Sequence, residues 1–123
     1  MKQFDKDGKI NFVDENNVFA GFDNSSYCCE SFGWLLTRDI PTKIENEDPR
    51  LADGNDYVFD VGYCNKSTIT EDLDCGDSVT FKMYSKSNSS DVLYLTFFNC
   101  HNGYYGHGFE FKIGEEIKEE GCL

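Results

Sequence analysis

Two short stretches hold most of the side chains with chemical potential. One is Cys28-Cys29-Glu30-Ser31, and the other runs from His101 through Tyr104, Tyr105 and His107 to Glu110. A thiol nucleophile needs a base within hydrogen-bond reach and usually a third group to orient that base. His101 and His107 are the only histidines, and both sit in an aromatic segment where a packing or turn role is the commoner use. No nucleophile, base and orienter set is legible, so the sequence predicts a protein that is not an enzyme. A zinc site asks for about four Cys or His ligands, usually with a close pair that anchors the ion. The six cysteines, at 28, 29, 64, 75, 100 and 122, include no C-x-x-C pair. Neighbouring residues of an extended segment also point to opposite faces, which separates Cys28 from Cys29. The segment Asp5-Lys6-Asp7-Gly8-Lys9-Ile10 has the look of the middle of a calcium loop. With Gly8 in the turn position, however, the first ligand would be Gln3 and the twelfth Asp14, so the acidic first ligand and the bidentate Glu are missing. No metal and no cofactor are expected, and Asp5 to Gly8 reads as a charged start feeding the first strand.

The elements that must position these residues are strands. Period-two alternation between turn clusters recurs along the chain. Lys9 to Val13 and Val18 to Phe22 flank Asp14-Glu15-Asn16-Asn17, which predicts a hairpin. Tyr57 to Tyr63 is β-branched and aromatic. Val79, Phe81 and Met83 alternate with Thr80, Lys82 and Tyr84, and Ser85 to Asp91 reads as a loop. Val92 to His101 and Tyr104 to Ile113 are separated by Asn102-Gly103, a dipeptide suited to a type I′ turn, so a second hairpin is predicted there. Within it Phe109, Phe111 and Ile113 face inward, with Glu110 and Lys112 outward. Cys28 to Thr37 fits either a short helix or a strand, Ile40 to Asp56 and Lys66 to Asp77 read as long loops, and Glu115 to Glu120 as one helical turn. The fold expected is one mostly β domain over residues 1–123, an antiparallel sandwich or rolled sheet with one or two short helices.

Composition bounds partners and compartment. Eleven Phe, seven Tyr and one Trp supply a core of few, large side chains, each burying about 150–250 Å². Eleven Lys and Arg against 23 Asp and Glu leave a net charge of −12. Phosphate recognition requires clustered cations, so nucleic acid and anionic membrane surfaces are excluded as partners. The same charge complements a basic protein. Met1 to Asp7 carries a charge every second or third residue where a signal peptide needs an apolar run. The expectation is a cytoplasmic protein whose cysteines stay reduced.

Cys28-Cys29-Glu30-Ser31 together with Asn102-Gly103-Tyr104-Tyr105 and the strand that follows resembles a family of small uncharacterised proteins of phages and bacteria. These carry a C-C-E motif in the first half and an N-G-Y-Y hairpin near the C-terminus. Ile10 to Asp14, Asn17-Val18 and Lys82-Met83-Tyr84 fit the same arrangement. The relatives usually have serine where Gly106 stands, and the spacing between the two motifs differs. The resemblance implies a phage or bacterial origin, a cytosolic site and a cluster in which the C-C-E segment packs against the N-G-Y-Y hairpin. It implies no activity, catalytic residue or cofactor.

The function expected is therefore a protein-binding inhibitor, such as an immunity protein or a phage anti-defence protein, that occludes a basic partner. Its contacts would come from Tyr104, Tyr105 and Glu110, with Cys28, Cys29 and Glu30 beside them. The alternative is a ligand- or metal-binding accessory protein centred on Cys28, Cys29, His101 and His107. Oligomeric state stays open at this stage, although an exposed strand edge with aromatic residues would support a homodimer.

Overall fold

The computed structural model describes residues 1–6, 8–23, 31–43, 56–66, 69, 77–100 and 108–123, with only the backbone described at Ser31 and Cys100. These residues form nine strands and, among them, no helix. The strands are β1 (Lys2–Lys6), β2 (Lys9–Val13), β3 (Val18–Asp23), β4 (Ser31–Thr37), β5 (Tyr57–Lys66), β6 (Asp77–Ser85), β7 (Val92–Cys100), β8 (Gly108–Ile113) and β9 (Glu116–Cys122). They make two antiparallel sheets, one ordered β1-β2-β3-β8-β9 and the other β4-β7-β6-β5. The expected mostly β sandwich is the fold.

The two sheets face each other through aromatic rings placed by strand alternation. In the five-stranded sheet Phe12, Phe22 and Phe111 are buried, and in the four-stranded sheet Val79, Phe81, Met83, Leu95 and Phe97 are fully buried. Phe22 of β3 stacks on Phe97 of β7, with centroids 4.9 Å apart and planes 8° from parallel. Phe81 of β6 stacks on Phe111 of β8 at 4.8 Å, and Phe12 of β2 meets Trp34 of β4 edge-on at 5.1 Å. Each of these pairs spans the sheets, so rings from both meet at one interface. Such contacts are worth about 0.5–1.5 kcal/mol each beyond the area they bury.

A second link between the sheets is polar. Asp14, 5% exposed, closes the β2–β3 hairpin. Its Oδ1 accepts the N–H groups of Asn16 at 2.9 Å and Val18 at 3.0 Å, and its Oδ2 accepts the N–H of Phe59 on β5 at 2.8 Å. Asn17 takes the left-handed conformation in this turn, with φ of 61°. A buried carboxylate is costly unless hydrogen-bonded, and here three backbone donors meet it.

The four-stranded sheet is covered on its far side as well. Ser78, Thr80 and Thr96 are fully buried although they alternate with the core residues. Their hydroxyls find partners: Thr80 and Thr96 share a hydrogen bond of 2.8 Å, and Ser78 Oγ accepts the N–H of the buried Ile69 at 3.2 Å. Alternation that looks half-polar in the sequence is therefore buried on both faces in β6.

Three expectations are corrected. The strand pairing expected on either side of Asn102-Gly103 does not occur, because β7 and β8 lie in different sheets; Asn102 and Gly103 themselves lie outside the described residues. β7 pairs with β4 on one side and β6 on the other, through Asn99 on both sides, which leaves it no free edge for β8. β8 pairs instead with β3 and β9. A two-residue turn joins strands about 4.8 Å apart, whereas facing sheets are about 10 Å apart. The Glu115 to Glu120 helical turn is instead the last strand, β9, entered through Gly114 at φ of 60°. The helix option for Cys28 to Thr37 fails over its described part, where Ser31–Thr37 is β4, buried between β7 and the facing sheet at Leu36. By contrast the β2–β3 hairpin, the β6 alternation, the Ser85 to Asp91 loop and the inward set of Phe109, Phe111 and Ile113 stand as expected.

Cys64 and Cys122 are free thiols, half-buried and exposed respectively. Burial pushes the Cys64 thiol above its ordinary value; the Glu119 carboxylate adds to the rise and Lys66 opposes it. Because the folded value lies above the unfolded one, this group's contribution to stability is complete at neutral pH and is lost as pH rises through the folded value.

Two outcomes follow from this architecture. Replacing Asp14 by Ala removes one acceptor from three backbone donors and should lower stability by about 3 kcal/mol, read as a shift in denaturant midpoint; a loss under about 1 kcal/mol would show that the turn and sheet contact stand without it. Alkylation at pH 8, followed by site-resolved mass spectrometry, should modify Cys122 about tenfold faster than Cys64. Equal rates would contradict the burial of the Cys64 thiol.

Candidate functional site

The outer face of the five-stranded sheet is the broadest surface whose every strand is described. Its residues follow from the register. Phe4 pairs with Asn11, Asn11 with Gly21, Gly21 with Glu110 and Glu110 with Glu120. These five positions form one row across the sheet, perpendicular to the strands. A parallel row runs Lys2, Val13, Phe19, Lys112 and Ile117. On the other flank Lys6 pairs with Lys9, and Gly108 with Cys122.

Gly21 sits at the centre of this face and makes it concave. A Cβ built there would lie 3.0 Å from Asn11 Oδ1 and 3.6 Å from Glu110 Cγ. The space a side chain would fill is thus bounded by Asn11 on one side and Glu110 on the other. Two shallow clefts of about 450 and 470 Å³ flank the position and share Lys9 and Glu110 as walls. Gly108 and Gly121 line the first, and Phe4, Phe19 and Lys112 the second.

Charge is sorted across the same face. Lys2, Lys6, Lys9 and Lys112 lie on it, a concentration of cations in a chain of net charge −12. Glu110 stands between two of them, its Oε1 3.8 Å from Lys9 Nζ and 3.6 Å from Lys112 Nζ. Lys112 also lies 5.5 Å from the centre of the Phe19 ring. Distances of this kind on a half-exposed surface give weak pairs; they place the Glu110 carboxylate between two lysines of the same face. At the far edge the sign reverses. Glu115, Glu116, Glu119 and Glu120 are exposed along the β8–β9 turn and β9, and none of them makes an ion pair among the described residues.

Of the residues singled out in the sequence, Glu110 is the one the structure places, on the outward face of β8 as its alternation requires. Cys28, Cys29, Glu30, His101, Tyr104, Tyr105 and His107 lie outside the described residues. No group of three or more His, Cys, Asp or Glu side chains poised to hold a metal occurs among the described residues, and no helix of the described residues is long and apolar enough to cross a membrane. What sequence reasoning missed is the Glu115 to Glu120 strip. Its composition was visible, but reading it as helix hid the fact that it forms the free edge of a sheet. Gly21 was passed over too, although a glycine between Ala20 and Phe22 in an alternating strand signals a close approach.

No known protein family's profile matches the chain, and no solved structure matches it. Among curated proteins it is similar to the magnesium-protoporphyrin IX monomethyl ester (oxidative) cyclases of Synechococcus elongatus and of a second Synechococcus strain. It is 28% identical to each over 109 residues, a stretch that covers 83% of this chain. The chain spans 30% of the length of these relatives.

Proposed function

We propose that the chain is a protein-binding module that captures a basic partner along the β8–β9 edge, and that it acts by occlusion as an immunity or anti-defence inhibitor does. The observation that carries this reading is the strip of Glu115, Glu116, Glu119 and Glu120, exposed on an outermost strand and without ion pairs among the described residues. Carboxylates at a rim steer oppositely charged partners and raise the rate of encounter. Ile117, 48% exposed in the middle of the strip, offers an apolar contact within the ring of charge. The open backbone edge of β9 adds the hydrogen-bonding groups through which a partner strand can dock. Glu110, also expected among the contacts, lies on the neighbouring strand β8 with Lys9 and Lys112 beside it.

The test is capture by the immobilised full chain from bacterial lysate at about 0.15 M salt, where surface charge is screened beyond roughly 8 Å. Bound proteins should be basic, should elute as salt is raised, and should fall at least tenfold in yield when Glu115, Glu116, Glu119 and Glu120 are all changed to Gln. Capture that survives these four changes would overturn the reading.

A further inference from the structure

The two outer strands of the five-stranded sheet are unlike the strands between them. In β2 the inward positions Ile10 and Phe12 are buried, yet the inward positions of β1, Gln3 and Asp5, are exposed, as are Lys2 and Lys6 outward. Every residue of β9 is exposed. Two strands at opposite ends of one sheet thus keep their side chains largely exposed, and each has one edge unpaired by the described residues. Their charges are opposite. β1 presents Lys2, Phe4 and Lys6 on its outer side, and β9 presents Ile117 and Glu120 on the same side of the sheet. Lys2 and Lys6, like the strip carboxylates, make no ion pair among the described residues.

We propose that β1 of one copy docks on β9 of a second copy, continuing the sheet from molecule to molecule. Direction and parity both permit it. Four successive antiparallel steps separate β1 from β9, so the two run the same way. A copy displaced sideways therefore brings its β1 parallel to the first copy's β9, with the outer faces of both on one side. Ile117 and Glu120 lie two ladder positions apart, because Ile117 pairs with Lys112 and Glu120 with Glu110 while Lys118 is the extra residue of a bulge. Phe4 and Lys6 have the same spacing. One register therefore sets Ile117 beside Phe4 and Glu120 beside Lys6, an apolar pair and an ion pair in adjacent rows. A shift of four residues sets Glu120 beside Lys2 instead.

The alternatives within the same fold are disfavoured by charge. Two β9 edges would bring carboxylates against carboxylates, and two antiparallel β1 edges would set Lys2 against Lys6 of the other copy. The favoured contact is heterologous and does not close on itself, so it yields short linear assemblies and not a symmetric dimer. It is also self-limiting: the bulge at Lys118 interrupts the hydrogen-bonding row of β9, β1 is only five residues long, and −12 on each copy opposes approach. Association should therefore be weak and strongest near physiological ionic strength, where the whole-molecule repulsion is screened and adjacent pairs persist.

The experiment is sedimentation velocity of the full chain across a concentration series at about 0.15 M salt, with reductant to keep Cys122 from cross-linking. The weight-average mass should rise with concentration. Lys2→Glu/Lys6→Glu and Glu116→Lys/Glu120→Lys should each remain monomeric, and an equimolar mixture of the two variants should associate again, since each then supplies the edge the other lacks. All four positions are exposed, and matching thermal melts confirm that the fold is kept. A wild-type chain that is monomeric throughout overturns the inference, as does association that either variant leaves unchanged or that the mixture fails to restore. The β1 variant keeps the acidic strip intact, so its capture of basic proteins reports on the proposed function separately.

Discussion

The Asp14 carboxylate is the point at which turn, register and sheet packing meet. Two of its hydrogen bonds are local and hold the β2–β3 connection, and the third reaches β5 in the facing sheet. Hydrophobic packing alone is tolerant of small sliding movements between layers, because apolar contact has no direction. A hydrogen bond does have direction, and one to a buried charge is expensive to leave unmade. Fixing Phe59 N–H against Asp14 therefore selects one placement among those that the aromatic rings would accept. Phe59 then presents its ring edge to Phe111, with centroids 5.4 Å apart, so the polar link and the aromatic seam act on the same residue.

From that placement the outer face follows. β3 leaves the Asp14 turn in a register that pairs Ala20 with Phe111 and Gly21 with Glu110. The inward positions stack into the core, and the outward positions line up as rows that end on Lys2 or Phe4 at one side and Ile117 or Glu120 at the other. A one-residue slip between β3 and β8 would turn Phe109 and Phe111 to solvent. The burial of these rings is thus what positions Glu110 between Lys9 and Lys112. Surface electrostatics in this molecule are a consequence of core register.

Legibility in the sequence divided along physical lines. Alternation reported the two faces of β6 and β8 correctly, although Ser78 and Thr80 on the polar side of β6 are buried as well. Partner choice could not be read this way, because pairing depends on which edges remain free. Asn102-Gly103 carries a strong local preference for a tight turn, but both edges of β7 are occupied by β4 and β6, so β8 pairs in the other sheet. At Lys6 to Lys9 the reverse happened. Asp7-Gly8 is also a hairpin dipeptide, and β1 pairs with β2 so that Lys6 lies opposite Lys9, with Gly8 at φ of 75°; in the sequence the carboxylates of Asp5 and Asp7 point instead to a fragment of a calcium loop. The acidic segment Glu115 to Glu120 has helix-forming composition, yet it pairs along β8 because Gly114 turns the chain back and Phe109 packs within reach of Gly121. Of the candidate site, Glu110's outward position was legible; its two lysine partners come from β2 and from β8 itself, and only the register brings the first of them near.

A sandwich whose sheets remain open has four edges, and this one treats them differently. β5 is interrupted between Phe59 and Cys64, where its register against β6 shifts, with Val61 turned outward at 43% exposure. Such bulges twist an edge away from further pairing. β9 is interrupted once, at Lys118, and keeps a paired run from Glu119 to Cys122 against β8. β1 is not interrupted at all. The five-stranded sheet ends in strands that bury almost nothing of their own. In this chain they present lysines at one end of the sheet and carboxylates at the other. Net charge acts at long range, whereas the placement of individual charges acts within a few ångströms. Core register fixes that placement here, and the sum of −12 does not express it.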